Sequence, residues 1–195
     1  MERRRSDLAN IMNEKQIYYA DDDVVPVARL VRMRLPSILI GIALGVFLSF
    51  VTSRFEEVIA RTPRIAFFIP LVVYLADAVG TQTQDIYIRD LRSGKANFRR
   101  YFLKELAVGF ILGAASSILA AGIVLLWLNE TNLALAVGLA ILGAIATAPP
   151  VALITTELVY EEHTDPAVGA GPITTVIQDT LSVLIYGLIA STIIL

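Results

Sequence analysis

Five apolar stretches alternate with short polar connections along the chain. Residues 35–53 (LPSILIGIALGVFLSFVTS), 106–129 and 131–156 contain no charged side chain. A fourth stretch, 65–88, is interrupted by Asp77 and Asp85, and a fifth, 166–195, only by Asp179. A helix needs about 20 mostly apolar residues to cross a bilayer, and each stretch is long enough. The pattern predicts an all-α polytopic membrane protein with five transmembrane helices. No signal-peptide cleavage pattern precedes the first of them.

Composition agrees: 56% of the residues are hydrophobic, against roughly 45–50% apolar in a soluble domain. The lack of cysteine excludes disulfides and thiolate metal sites, and a single histidine, His163, excludes a cage of several imidazoles. A formal net charge of −2 gives no reason to expect nucleic acid as a partner.

The distribution of basic residues says more than their sum. Seven lie before the first span, three around the first connection (Arg54, Arg61, Arg64), six around the second (Arg89 to Lys104), and none after. By the positive-inside rule the N-terminus and the 89–104 connection are cytoplasmic, which puts Leu195 outside. The chain divides into a cytoplasmic N-terminal segment, 1–33, and a five-helix transmembrane domain, 34–195. MERRRSDL reads as a topology determinant, YADDDVVP as a solvated acidic turn, and EEHTD (161–165) as an acidic loop in which His163 is solvated. No internal repeat supports an inverted-repeat transporter.

The intramembrane carboxylates carry the functional signal. Asp179 lies 16 residues before the C-terminus, about 24 Å along a helix, and Asp77 lies 13 residues after Arg64 and 12 before Arg89. Both are near mid-membrane, where an aspartate costs roughly 2.5–3.5 kcal/mol on insertion scales and usually faces a wet cavity or a partner. At about 100° per residue, Thr175, Asp179, Ser182 and Tyr186 share one face of the last span, while Asp77, Thr81, Gln84 and Asp85 share a face of the second. Two such stripes predict an aqueous lining. Arg89 can pair with Asp85 one turn away, but no cationic partner for Asp77 or Asp179 is visible. Either the two are protonated or a mobile cation compensates them. Carboxylates, hydroxyls and water suit hard cations such as Mg²⁺.

The remaining signals concern packing. GIALG (Gly41, Gly45) and GFILG (Gly109, Gly113) permit close helix approach, within a subunit or across a dimer. Pro149–Pro150 and Pro172 interrupt the helical ladder and free carbonyls, which are tolerated at membrane depth when buried in protein or lining a cavity. Glu157 reads as an interfacial charge and Glu105 as a helix-start charge.

Several segments together resemble the MgtE family of magnesium channels and transporters. They are RLP (34–36) followed by Phe55–Glu56, GTQ (80–82) followed by IRDL (88–91), KELAVGFILG (104–113), and above all DPAVGAGPITTVIQD (165–179) leading to Tyr186. The resemblance covers residues 34–195 in order and spacing. It implies a homodimeric five-helix pore in the cell membrane, with a divalent cation path along the two-fold axis. Asp179 would be the central Mg²⁺ ligand, acting on a hydrated ion. Thr81 and Asp85 on the second helix, and Gly171 and Thr175 on the fifth, match lining positions. The family often has Gly-Asn before GxQ; Asp77–Ala78 stand there in this chain, and the extra carboxylate joins the expected metal site. Many relatives carry a large cytosolic part with paired CBS domains that senses Mg²⁺. With some 33 residues before the first span, this chain is expected to be a pore-only relative, or to rely on a separate cytosolic regulatory domain or chain.

Other classes fit less well. A proton- or Na⁺-coupled secondary transporter would use the same carboxylates. An intramembrane aspartyl protease needs two aspartates, but Leu-Ala precedes Asp77 and Ile-Gln precedes Asp179, unlike that class. A non-conducting membrane subunit is the remaining alternative, and no enzymatic activity is expected.

Overall fold

The computed structural model describes Ile17, Ala20 and residues 23–194. Most of the N-terminal segment, including MERRRSDL, and Leu195 lie outside the described residues. The chain forms α1 (Val27–Ser53), α2 (Glu56–Arg61), α3 (Ile65–Arg92), α4 (Phe98–Leu128), α5 (Thr131–Glu161) and α6 (Pro166–Ile194). All but α2 are long and apolar enough to cross a membrane, as the five apolar stretches predict. The helices run past the uncharged stretches: α1 takes in Arg29, Arg32 and Arg34, and α3 reaches Arg92. Backbone hydrogen bonds continue into the interfacial layer, where charged side chains can reach water.

α5 is the scaffold. It packs against α3, α4 and α6, and its buried positions are mostly small: Ala134, Ala136, Ala140, Ala144, Ala148 and Ala152. Small residues let helix backbones approach closely where no difference in hydrophobicity drives association. The GFILG motif serves this packing. A Cβ on Gly109 would lie 3.0 Å from Pro149 Cγ, and one on Gly113 3.1 Å from the Leu142 carbonyl oxygen. Gly41 faces Pro172 on α6, whereas Gly45 faces open space. Near its outer faces α1 exposes Ile42, Val46, Phe47 and Phe50, and α4 exposes Phe110, Ile111, Ile118 and Leu126. Apolar faces of this extent suit acyl chains rather than water.

The helix ends have local causes. Asn97 caps α4 by accepting from the Arg100 N–H at 3.0 Å, and Asn129 closes it in a left-handed conformation with φ 54°. The prolines at 36, 70, 149, 150 and 172 lie inside helices without ending them. Pro172 cannot donate to the Val168 carbonyl, and that oxygen accepts from Ser37 Oγ of α1 at 3.3 Å. The freed group is therefore satisfied inside the protein.

Sequence patterning did not anticipate α2, a six-residue helix in the first connection. Phe55 just before it packs into the space left by Gly187, and Val58 is fully buried. EEHTD is likewise less open than expected. His163 is exposed, but Asp165 is only 2% exposed and pairs with Arg92 at 3.1 Å. Asp165 also accepts from the Ala20 N–H at 2.9 Å and the Ala167 N–H at 3.1 Å. The chain upstream of α1 is thereby held against the α5–α6 connection. At the opposite end Arg64 pairs with Glu130.

The wedge at Phe55 yields a stability test. A Cβ at position 187 would meet the Phe55 ring at 2.5 Å. Gly187→Leu should therefore destabilise the folded protein by about 1–3 kcal/mol. Gly45→Ala, with nothing within 4 Å, should be neutral or stabilising by up to about 1 kcal/mol. Thermal unfolding in detergent checks both, and equal melting temperatures for the two variants would refute the wedge.

A carboxylate pair between two antiparallel helices

α3 and α6 run antiparallel. At one end the Tyr186 hydroxyl donates to the Ile65 carbonyl at 3.0 Å, and at the other Arg92 meets Asp165. Asp77 and Asp179 lie between these ends. Thr175, one turn before Asp179, donates from Oγ1 to Asp77 Oδ1 at 3.2 Å and so bridges the two helices. Asp179 lies one turn beyond Thr175 on the same face of α6, so that bond brings the two carboxylates to neighbouring levels. Asp179 Oδ1 is buried and has no hydrogen-bond partner among the described residues, although the side chain as a whole is half-buried. None of the ion pairs among the described residues involves either aspartate. α5 and α6 contain no Lys or Arg at all.

Asp77, Thr175 and Asp179 are thus brought together. Thr81 and Asp85 continue along α3 at four-residue intervals toward the Arg92 end, both exposed in the protomer. Gly171 continues along α6 at the same interval toward the same end, half-buried, with open space where a Cβ would be. No hydrogen bond or ion pair joins these outer positions to the carboxylates. They form two lanes that lead to the pair from one side.

Three details differ from the sequence reading. Asp85 does not pair with Arg89, whose Nε instead meets the adjacent Asp90 at 3.0 Å. Ser182 and Tyr186 are buried rather than water-lined, because the residues that follow Asp179 pack against the first turns of α3. Gln84 is also buried, although seven residues of helix bring it back to within about 20° of the Asp77 face.

Sequence reasoning also missed a second polar cluster, formed with the opposite side of α3. Thr83 Oγ1 donates to Glu105 of α4 at 2.7 Å, and the Tyr87 hydroxyl to Glu157 of α5 at 2.6 Å. The Tyr101 hydroxyl of α4 donates to Asp90, and the Tyr87 and Tyr101 rings are 4.9 Å apart. Glu157, read as an interfacial charge, and Glu105, read as a helix-start charge, both accept bonds from α3. The available signal was Thr83 and Tyr87 at i,i+4, a pair of donors on one helical face. The cluster joins helices and lies apart from the aspartates. Among the described residues no group of three or more Asp, Glu, His or Cys gathers in a metal-holding arrangement. One protomer therefore offers an ion two carboxylates and a hydroxyl.

Comparisons with known proteins bear on this arrangement. The protein-family model "MgtE: Divalent cation transporter" matches residues 69–189. The chain is 32% identical over 161 residues to the magnesium transporter MgtE of Enterococcus faecalis, covering 81% of this chain and 36% of that protein. It is 27% identical over 156 residues to the Bacillus subtilis magnesium transporter MgtE, covering 78% and 35% respectively. Against the Thermus thermophilus magnesium transporter MgtE the figures are 29% over 152 residues, 76% and 34%. The chain spans about a third of the length of these curated relatives.

The Thr175–Asp77 bond predicts an energetic coupling. Thr175→Val removes the donor while keeping the shape, and should cost about 1–3 kcal/mol where Asp77 is present. In an Asp77→Ala background the same change should cost much less. A double-mutant cycle of unfolding in detergent measures the difference. Equal costs in the two backgrounds would show that the bond contributes nothing.

Proposed function

Because this chain belongs to the MgtE family of divalent cation transporters, we propose that its five spans carry Mg²⁺ across a membrane along a path lined by α3 and α6. The observation that carries this reading is the convergence of Asp77, Thr175 and Asp179 in the membrane-spanning region without a basic partner. Two carboxylates there cost roughly 2.5–3.5 kcal/mol each on insertion scales. A divalent cation offsets both charges at once. Mg²⁺ sheds water reluctantly and is usually held by one or two carboxylates with its remaining positions filled by water. Asp179 is the central ligand, Asp77 the second carboxylate, and Thr175 orients Asp77. Thr81, Asp85 and Gly171 line the approach.

The path runs between two copies of the chain. Exposed Thr81 and Asp85 leave the lane open on one side of the protomer, and a second copy related by a two-fold axis closes it with the same polar face. The basic residues at 89–104 orient the Arg92 end toward the cytoplasm. An aspartyl protease would also require two neighbouring aspartates, and membership in a transporter family favours the transport reading.

Flux of Mg²⁺ into proteoliposomes tests the reading. Asp179→Asn should lower uptake at least about tenfold, and Asp77→Asn should raise the half-saturating concentration about 10- to 100-fold. Uptake should follow the Mg²⁺ gradient and the membrane potential. Dependence on an imposed pH or Na⁺ gradient at fixed potential would replace the passive path with a coupled transporter. Unchanged Mg²⁺ uptake in both variants would remove these aspartates from the path.

A further inference from the structure

Gln178, the residue before Asp179, is 2% exposed and points away from the carboxylate lane into the bundle. Its Nε2 donates to the Ala148 carbonyl of α5 at 3.0 Å. Because that neighbour is an acceptor, the amide must turn its N–H₂ toward it. The amide oxygen, Oε1, is buried without a partner among the described residues. The amide fits only because position 80 of α3 is glycine: a Cβ there would lie 1.9 Å from Nε2 and 2.6 Å from the amide carbon. One side chain of α6 is therefore held between the backbones of α3 and α5.

Its place along α5 is significant. Ala148 directly precedes Pro149–Pro150, which lack the N–H groups that would bond the Ile145 and Ala146 carbonyls. α5 is least held by its own ladder there, and Gln178 bonds a carbonyl two residues beyond the freed pair. Gly109 of α4 packs on Pro149 at the same level. α3, α4, α5 and α6 are thus locked in one layer beside Asp179.

We infer that Gln178 is a positioning residue for Asp179: its amide, seated on Gly80 and bonded to Ala148, sets the rotation and depth of α6 and so the place of the carboxylate that meets the ion. Consecutive residues on a helix lie about 100° apart. A clamp on residue 178 therefore aims residue 179 with little play. The inference deepens the transport reading and rests on it. Residues that orient a metal-binding group commonly matter about 10- to 100-fold in metal affinity when altered.

The experiment compares the intact chain, Gln178→Ala, Gly80→Ala, the double variant and Asp179→Asn in proteoliposomes. It reads half-saturating Mg²⁺, the ratio of Mg²⁺ to Ca²⁺ uptake, and folded yield by size exclusion. Gln178→Ala should raise half-saturation about 10- to 100-fold and lower the Mg²⁺/Ca²⁺ ratio. Gly80→Ala displaces the far end of a flexible side chain, so it should fold and give the same shift. The double variant should match Gln178→Ala alone, because a methyl at position 80 acts only through the amide. Lower yield with the parent's half-saturation and ion ratio would reduce Gln178 to a packing residue and overturn the inference, as would additive shifts in the double variant. Should Gln178→Ala fail to fold, Gly80→Ala alone decides: parental half-saturation and ratio overturn the inference. Asp179→Asn keeps the two failures apart. If it conducts like the intact chain, Asp179 is not the ion's ligand, and the site reading on which the inference rests falls. If it is inactive while Gln178→Ala and Gly80→Ala behave like the parent, only the positioning role falls.

Discussion

The structure depends on keeping two carboxylates side by side in a membrane-spanning layer with no basic residue to neutralise them. Among the described residues Asp77 has a donor, the Thr175 hydroxyl, while Asp179 Oδ1 is buried without one. Charge in a low-dielectric setting is tolerated when water or a counter-charge reaches it. One side of α3 and α6 must therefore stay open while everything behind them is closed. The half-buried state of both aspartates and the exposure of Thr81 and Asp85 meet the first condition. The buried alanine-rich surface of α5 meets the second.

Rigidity behind the lane comes from close backbone approach and from polar groups that find partners across helices. Gly109 against Pro149 and Gly80 against Gln178 bring backbones nearer than a side chain would allow. Ser37 on the Val168 carbonyl, Gln178 on Ala148 and Tyr186 on Ile65 each use a side chain to bond main chain on another helix. Such bonds suit a membrane protein, whose helices gain little from apolar burial against equally apolar lipid. The proline-rich middle of α5 shows the same logic: the ladder is interrupted where neighbouring helices come closest.

Much of this was legible in the sequence. Three uncharged runs and two broken only by aspartates marked the five spans, because a helix satisfies its own backbone in lipid. The three aspartates stood out against that background, and two of them converge. The motifs flanking Asp179 resembled a family that the chain does belong to. What stayed hidden were pairings between residues far apart in the chain. Asp165 looked like one more charge in an acidic loop, yet it meets Arg92, 73 positions away. Glu105 looked like a helix-start charge and Glu157 like an interfacial one, yet each accepts from a hydroxyl of α3. Helical phase placed Ser182 and Tyr186 with Asp179 but could not say which of the aligned residues lay beneath a neighbouring helix. Gln178 carried no signal, since a glutamine beside an aspartate reads as polar surface until Gly80 and Ala148 are seen to enclose it.

The two ends of the α3–α6 contact are built differently. On the side of Asp179 toward Ile65, Ser182, Val183 and Tyr186 are buried and the tyrosine hydroxyl occupies the Ile65 carbonyl. Phe55 fills the hollow at Gly187 in the same region. On the side toward Arg92, the in-phase residues are Gly171 on α6 and exposed Thr81 and Asp85 on α3. A hydrated cation needs oxygen ligands and room for its water, and only the second side offers both. In this conformation the aspartates stand at the closed end of a one-sided polar lane. On the proposed path, passage of an ion across the membrane would require the packed layer around Tyr186 to part. Because cores shift between discrete packings rather than deforming smoothly, that step would be a rearrangement of α6 against α3 and α2, not a widening of a pore already formed.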